Sequence, residues 1–286
     1  MTTISWLFVP ADSEKKLDKT RFVDAGAFIL DLEDSVALSA KPMARQLAAA
    51  FLEKSALARE KLWVRTNPVD GPYFDDDLAA VVPAAPGGIV LPKVRSPRDV
   101  TELAARLDVL EREHGLEPES IRILPIVTET PEALFTLGGF ASCGPRLAGL
   151  TWGAEDLGSA IGATATRDIN DDWTPPFRLV RNLCLFAAHA AGVPAIDTVF
   201  VKLSDFAELD DECDEARRDG FSGKLAIHPA QVEIINRAFL PSDEELDRAR
   251  RIVELFDANP GAAVLELEGA MVDLPHLRQA RRILDR

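Results

Sequence analysis

The sequence predicts a (β/α)8 barrel followed by a helical extension, and three observations carry that reading. Eight short apolar runs are spaced over residues 1–240, the intervals between them show helical patterning, and polar residues recur where an apolar run ends. Runs that are continuously apolar, with little alternation, suit parallel strands covered on both faces. Eight strand–helix alternations fit a closed barrel better than an open doubly wound sheet, and such barrels carry their chemistry at the C-terminal strand ends.

The runs fall at 6–10, 28–32, 62–67, 88–93, 121–129, 147–153, 198–201 and 224–229. After the second, Pro42 stands in a first helical turn and Met43, Ala44, Leu47, Ala48 and Phe51 repeat at helical spacing; Leu103, Leu107 and Leu110 do the same after the fourth. After the fifth, Thr130 is expected to cap a short helix opened by Pro131 and closed by Gly138-Gly139. Pro125 interrupts the fifth run and would cost a central strand a ladder bond, so that strand is expected to begin at Ile126. The sixth unit is long: residues 158–176 read as an active-site loop ahead of a helix at 176–191. Beyond a domain boundary at 240/241, Ser242-Asp-Glu-Glu245 reads as a capping box, with Leu246, Ala249, Val253 and Phe256 on one helical face.

Composition narrows the function. A formal charge of −15 repels nucleic acid and anionic membrane. The chain opens almost at once on a strand-like run, without a signal peptide or a membrane-length apolar segment, which points to a cytoplasmic protein. Cys143, Cys184 and Cys213 are odd in number and far apart, as expected of reduced packing thiols. No nucleophile elbow, Walker loop or dinucleotide fingerprint is present, and His228 after the eighth run suits either a pocket wall or a loop anchor.

The ends of the runs are where candidate chemistry gathers. Asp31, Glu33 and Asp34 follow the second, Arg65 and Asn67 the third, Lys93 the fourth, Glu129 the fifth and Asp156 the sixth. Carboxylates crowded at one lip raise one another's pKa, which implies a cation among them. A hard divalent ion such as Mg²⁺ commonly takes one or two carboxylates plus water and substrate. Arg65 suits either a structural pairing with Asp31 or Asp34, or the oxygen of a thioester or carboxylate.

Several motifs then share one resemblance. Trp6-Leu-Phe-Val-Pro10, Asp31-Leu-Glu-Asp-Ser-Val36, Arg65-Thr-Asn67, Leu91-Pro-Lys93, Glu129-Thr130, Gly153-Ala-Glu-Asp-Leu157, Gly223-Lys224, Ile227-His-Pro-Ala-Gln231 and Met271-Val-Asp273 together resemble the citrate lyase β-subunit-like branch of the HpcH/HpaI aldolase family. The resemblance implies a TIM barrel, Mg²⁺ held by Glu129 and Asp156, and reversible C–C cleavage of a 3-hydroxyacyl-CoA of malyl-CoA or citramalyl-CoA type to a 2-keto acid and an acyl-CoA. It implies that Arg65 steadies the enolate oxygen and that Asp273, from a neighbouring subunit of a trimer or multiple of three, protonates the enolate carbon. Glu33 and Asp34 would order water or act as base, and backbone at Gly153, Ala154 and Glu155 would hold the substrate carboxylate. Lys93, with Arg95 and Arg98, is a candidate for the CoA phosphates. Ala11 departs from the glycine many relatives carry. The alternatives are a thioesterase on the same scaffold, a non-catalytic or acyl-carrier-dependent lyase subunit, and a phosphoenolpyruvate-type lyase with no use for CoA.

Overall fold

In the computed structural model, which describes residues 3–284, the first eight strands are β1 (Ser5–Pro10), β2 (Ala27–Asp31), β3 (Leu62–Arg65), β4 (Gly88–Leu91), β5 (Arg122–Pro125), β6 (Leu150–Thr151), β7 (Ala195–Asp197) and β8 (Gly223–Ala226). They form one sheet in the order β5, β4, β3, β2, β1, β8, β7, β6. Every neighbouring pair in it is parallel. The end strands meet through parallel bridges between Ile123 and Leu147 and between Ile126 and Thr151, which bring the sheet round to a nearly closed barrel. Helices α1 (Glu14–Lys19), α2 (Lys41–Lys54), α3 (Phe74–Val81), α4 (Pro97–Glu113), α5 (Glu155–Ile161), α6 (Pro175–Ala191), α7 (Phe206–Asp219) and α8 (Pro229–Ala238) lie in the connections.

Register decides what the barrel mouth contains. Trp6, Ala27, Ile29, Trp63, Val90, Leu124, Ile126, Ile196 and Leu225 fill the interior as one apolar cluster, with Trp6 set edge-on to Trp63 at 4.9 Å. Side chains two apart on a strand share a face. Asp31, two beyond Ile29, and Arg65, two beyond Trp63, therefore face the same lumen at its C-terminal end. They are also direct partners across β2 and β3.

Three expectations are corrected. First, β5 ends at Pro125, whereas the proline was expected to delay the strand to Ile126. The Ile126 amide donates to Leu91 on one side, while those of Ile123 and Val127 donate to Arg146 and Thr151 on the other. Position 125 thus faces the β6 seam, where proline has no N–H to give and regular pairing lapses into isolated bridges. Second, the seventh strand is 195–197, not 198–201. Asp197 breaks the apolar pattern because it is a buried ion-pair partner of Lys224. Third, Thr130 does not cap a helix: its hydroxyl donates to the Val94 carbonyl at 2.8 Å, and two short 3₁₀ turns, Pro131–Phe135 and Leu137–Ser142, follow. The long sixth connection is partly ordered as α5, and its remainder is pinned by a bridge between Arg167 and Trp173.

Residues 3–236 make up one compact unit and those from 237 on a second. The second is not wholly helical. Its α9 (Asp243–Asp257) starts at the expected capping box on Ser242 and Glu245. A hairpin of β9 (Val264–Leu267) and β10 (Ala270–Asp273) then precedes α10 (Leu274–Leu284). Glu268 and Gly269 both adopt positive φ in its two-residue turn, the geometry that matches the twist of an antiparallel pair. Ala249, Ile252, Phe256, Val272, Leu277 and Ala280 form this unit's own core. Among the described residues no helix is long and apolar enough to cross a membrane.

Gly223 seats β8 against the first strand: a Cβ there would stand 2.2 Å from the Ile4 carbonyl oxygen. Because the obstacle is backbone, Gly223→Ala is expected to cost about 3 kcal/mol, read as a lower urea midpoint with an unchanged denaturant slope.

Candidate active site

Asp31 and Arg65 form the centre of the barrel mouth. Arg65 Nε and Nη2 donate to the two oxygens of Asp31 at 2.7 and 2.6 Å, a bidentate pair. Asp31 also accepts the amides of Glu33 (3.0 Å) and Ser35 (3.2 Å), so it shapes the loop that carries the next two acids. Burial works to raise the Asp31 carboxyl, but the Arg65 charge and hydrogen bonds hold it below its ordinary value. Arg65 lies 4.7 Å from the centre of the Phe8 ring and directs Nη1 toward Glu33 Oε2 at 3.0 Å. That Glu33 oxygen is buried and makes no directed hydrogen bond, so the contact is one of charge. The Asp31 pairing leaves three of the five guanidinium N–H groups for other acceptors.

Lys93 meets the other oxygen of Glu33. Its ammonium donates to Glu33, to Asp34 at 2.9 Å, and approaches Asp156 at 3.4 Å. Its backbone amide donates to Glu129 Oε2 at 2.5 Å. Burial pushes Glu33 up to about 7 against the pull of Arg65 and Lys93. Burial, followed by the charges of Glu33 and Asp156, pushes Glu129 up to about 8. Burial, with crowding added at Glu129, thus leaves Glu129 protonated and Glu33 partly protonated near neutrality unless positive charge arrives.

A cavity of about 270 Å³ opens beside them; Phe8, Asp31, Arg65, Glu129, Gly153 and Asp156 are among its walls. A larger groove of about 710 Å³, between α1 and α2, includes none of these acids. The glycine at 153 is sterically required: a Cβ would stand 2.8 Å from Glu129 Cγ. Its amide donates to Thr128 Oγ1 at 3.1 Å. Ala154 is buried, while Glu155 and Asp156 open α5, where first-turn amides have no partner within the helix. Glu129 and Asp156 together offer two oxygen donors for a hard divalent ion. Among the described residues no three His, Cys, Asp or Glu side chains form a ready-made cage. Two carboxylates with open positions are nonetheless what Mg²⁺ uses when water and substrate complete its shell.

The structure brings Glu33, Asp34, Arg65, Lys93, Glu129 and Asp156 to one lip. The Lys93 ammonium is turned onto three acids, Glu33, Asp34 and Asp156. Arg95 is exposed and pairs with Asp70 at 2.8 Å. Asp273 belongs to the second unit, where Oδ1 lies 2.6 Å from His276 Nδ1 and that hydrogen bond holds the carboxyl below its ordinary value. All three cysteines are free and buried. Burial pushes the Cys143 thiol up to about 11, away from reactive thiolate.

Other residues escaped the sequence reading. Lys41, almost wholly buried, donates to the Leu32 and Glu33 carbonyls and to Asn67 Oδ1 at 2.8, 3.0 and 2.8 Å. Its position just before Pro42 suggested a helix start and nothing more. Trp152 donates its indole N–H to Asp197 at 2.7 Å, and Asp197 in turn receives Lys224 at 2.8 Å. Local pattern carries no signal of that chain, since its members lie far apart in sequence.

The family model described as HpcH/HpaI aldolase/citrate lyase matches residues 5–229. A second, C–C bond lyase of the TIM-barrel fold, matches 182–286. The chain is 32% identical to citrate lyase subunit beta of Escherichia coli strain K12, over all of this chain and 93% of that one. It is 33% identical to (3S)-malyl-CoA thioesterase of Cereibacter sphaeroides strain KD131, over 98% of this chain and 93% of that one. A crystal structure of the protein CitE from Mycobacterium tuberculosis in complex with magnesium, acetoacetate and coenzyme A superposes with a TM-score of 0.82. Identity to it is 32%, and the match covers 99% of this chain and 97% of that one.

Glu33 and Glu129 give the metal-free protein a characteristic pH response. Their folded pKa values, about 7 and about 8, lie above the 4.5 of a free glutamate. Between those values the native state keeps protons that the unfolded chain has released, so the stabilisation is full below about pH 4.5 and is lost as pH rises. Thermal denaturation in chelator should show a Tm that falls from pH 5 to pH 8, with a loss on the order of 2 kcal/mol or more. A flat profile over that range would contradict a protonated cluster.

Proposed function

The chain belongs to the HpcH/HpaI aldolase/citrate lyase family, and from that premise we propose that it is a Mg²⁺-dependent lyase cleaving the C–C bond of a 3-hydroxyacyl-CoA. Malyl-CoA and citramalyl-CoA are the substrate type, and the products are a 2-keto acid and an acyl-CoA. The observation that carries this reading is a single cavity lined by Glu129, Asp156 and an arginine already locked in place by Asp31.

Glu129 and Asp156 would hold the magnesium, which when bound supplies positive charge that acidifies a hydroxyl and polarises a carbonyl. Glu33, with a pKa near 7 and a lysine ammonium on one oxygen, is matched to accept the substrate hydroxyl proton. Loss of that proton lets the hydroxyl carbon become the keto carbon, while the electrons of the broken C–C bond pass to the thioester as an enolate. The free N–H groups of Arg65 suit the enolate oxygen. Held by Asp31, the guanidinium needs little reorganisation as charge appears. Amides at Ala154, Glu155 and Asp156 suit the carboxylate of the keto acid. The proton for the enolate carbon is assigned to Asp273, supplied by a neighbouring copy in a homo-oligomer, as the resemblance implies.

The second reading is a thioesterase on the same scaffold, favoured by the similarity to a malyl-CoA thioesterase. The two differ in products: the lyase releases a keto acid and leaves the shortened thioester whole, whereas the thioesterase releases free CoA and no keto acid.

Incubation of the purified chain with malyl-CoA should yield glyoxylate, detected as its phenylhydrazone, in step with acetyl-CoA, and chelator should stop both. Glu129→Gln and Asp156→Asn are each expected to lower turnover by about 10³-fold or more with the circular dichroism spectrum unchanged. Full activity in either variant would remove that residue from the metal site. Asp273→Asn should slow exchange of solvent deuterium into the acyl-CoA methyl group while Mg²⁺ affinity stays the same.

A further inference from the structure

Lys93 is an unusual residue for its place. Among the described residues it is one of five other than glycine with positive φ, at +51°, a region that side chains other than those of Asn and Asp seldom enter. β4 ends at Leu91, Pro92 follows without an N–H, and the left-handed turn at 93 then aims two donors of one residue into the same lip. The amide meets Glu129 Oε2 at 2.5 Å. The ammonium meets Glu33 and Asp34, and Asp156 at 3.4 Å. Arg65 pairs with Asp31 and Glu33, and the buried Lys41 ammonium is held by the Leu32 and Glu33 carbonyls and Asn67, so Lys93 is the cation whose side chain meets Asp34 and Asp156.

We propose that Lys93 is the site's resident counter-cation: a positioning residue whose ammonium holds Glu33, Asp34 and Asp156 together in the metal-free protein and gives up Asp156 when a divalent ion binds. The contact with Asp156 is the longest of its three, so it is the one relinquished most readily, while Glu33 and Asp34 keep the ammonium tethered beside the metal. The ammonium and the ion therefore compete. Lys93 stabilises the empty cluster and at the same time weakens the grip of Glu129 and Asp156 on the ion, keeping binding reversible. The amide acts separately, orienting Glu129 whatever the side chain does. This inference rests on the metal site of the proposed function but not on the reaction assigned to it.

The backbone conformation supplies a clean variant. Lys93→Gly keeps the left-handed turn and the amide bond to Glu129 while deleting the ammonium, because glycine enters that region freely. Lys93→Met deletes the charge and keeps the stem. Each full-length variant is titrated with MgCl₂ alone by calorimetry and melted in chelator. Loss of a positive charge a few ångströms from the ion should tighten Mg²⁺ binding about tenfold or more. In chelator the Tm should drop by roughly 3 °C, so that the rise on adding Mg²⁺ is larger than in the parent protein. Unchanged or weaker Mg²⁺ binding in both variants overturns the proposal, since a merely structural lysine would lower affinity along with stability. An unchanged Tm in chelator overturns it as well. A parent protein that binds Mg²⁺ yet forms no keto acid defeats the assigned reaction and leaves this inference standing; failure of parent and variants alike to bind Mg²⁺ defeats the metal site and the inference together.

Discussion

The bidentate pairing of Asp31 with Arg65 is the constraint on which the barrel mouth depends. It arises from register: the two residues face each other across β2 and β3 and both turn inward, so that closing the sheet brings the charges together without any loop rearrangement. A buried guanidinium with no partner would be prohibitive, and so would Asp31 alone. As a pair they satisfy each other and leave donors over. Asp31 additionally gathers the Glu33 and Ser35 amides, which places Glu33 over the same arginine.

Around that pair the chain accumulates negative charge that a stable core would avoid. Glu33 and Glu129 are buried acids raised toward neutrality, while a fully ion-paired acid such as Asp197 is held low despite its burial. The contrast separates two uses of a buried carboxylate. Asp197, bonded to Trp152 and Lys224, braces the strand that leads into Gly153. Glu33 and Glu129 have fewer compensating donors than their burial demands, the condition expected of groups that await a ligand or a proton.

A scaffold of buried polar contacts keeps this cluster from relaxing. Lys41 ties the carbonyls of Leu32 and Glu33 to Asn67. Asp77, fully buried, receives the Asn67 amide and side chain at 2.7 and 2.6 Å and Arg45 at 2.7 Å. The loops after β2 and β3 are thereby fastened to α2 and α3, whose packing is set by the hydrophobic core. Such support gives a polar site its rigidity, because each member fixes the next.

Much of this was legible in the chain. Continuous apolar runs indicated buried parallel strands, and their number indicated a barrel, because hydrophobic periodicity is local and survives translation into structure. The acids and Arg65 at the strand ends were legible for the same reason, since a strand's last residues must lie at its lip. What only tertiary structure decided were the partnerships: that Arg65 meets Asp31 and not Asp34, that Lys93 turns inward on a left-handed backbone, that Gly153 makes room for Glu129, and that Asp197 belongs to β7. Each depends on register between strands or on contacts made around the closure of the barrel. A linear pattern carries residue type and spacing, but the energy of a charge is set by neighbours that only folding brings within a few ångströms.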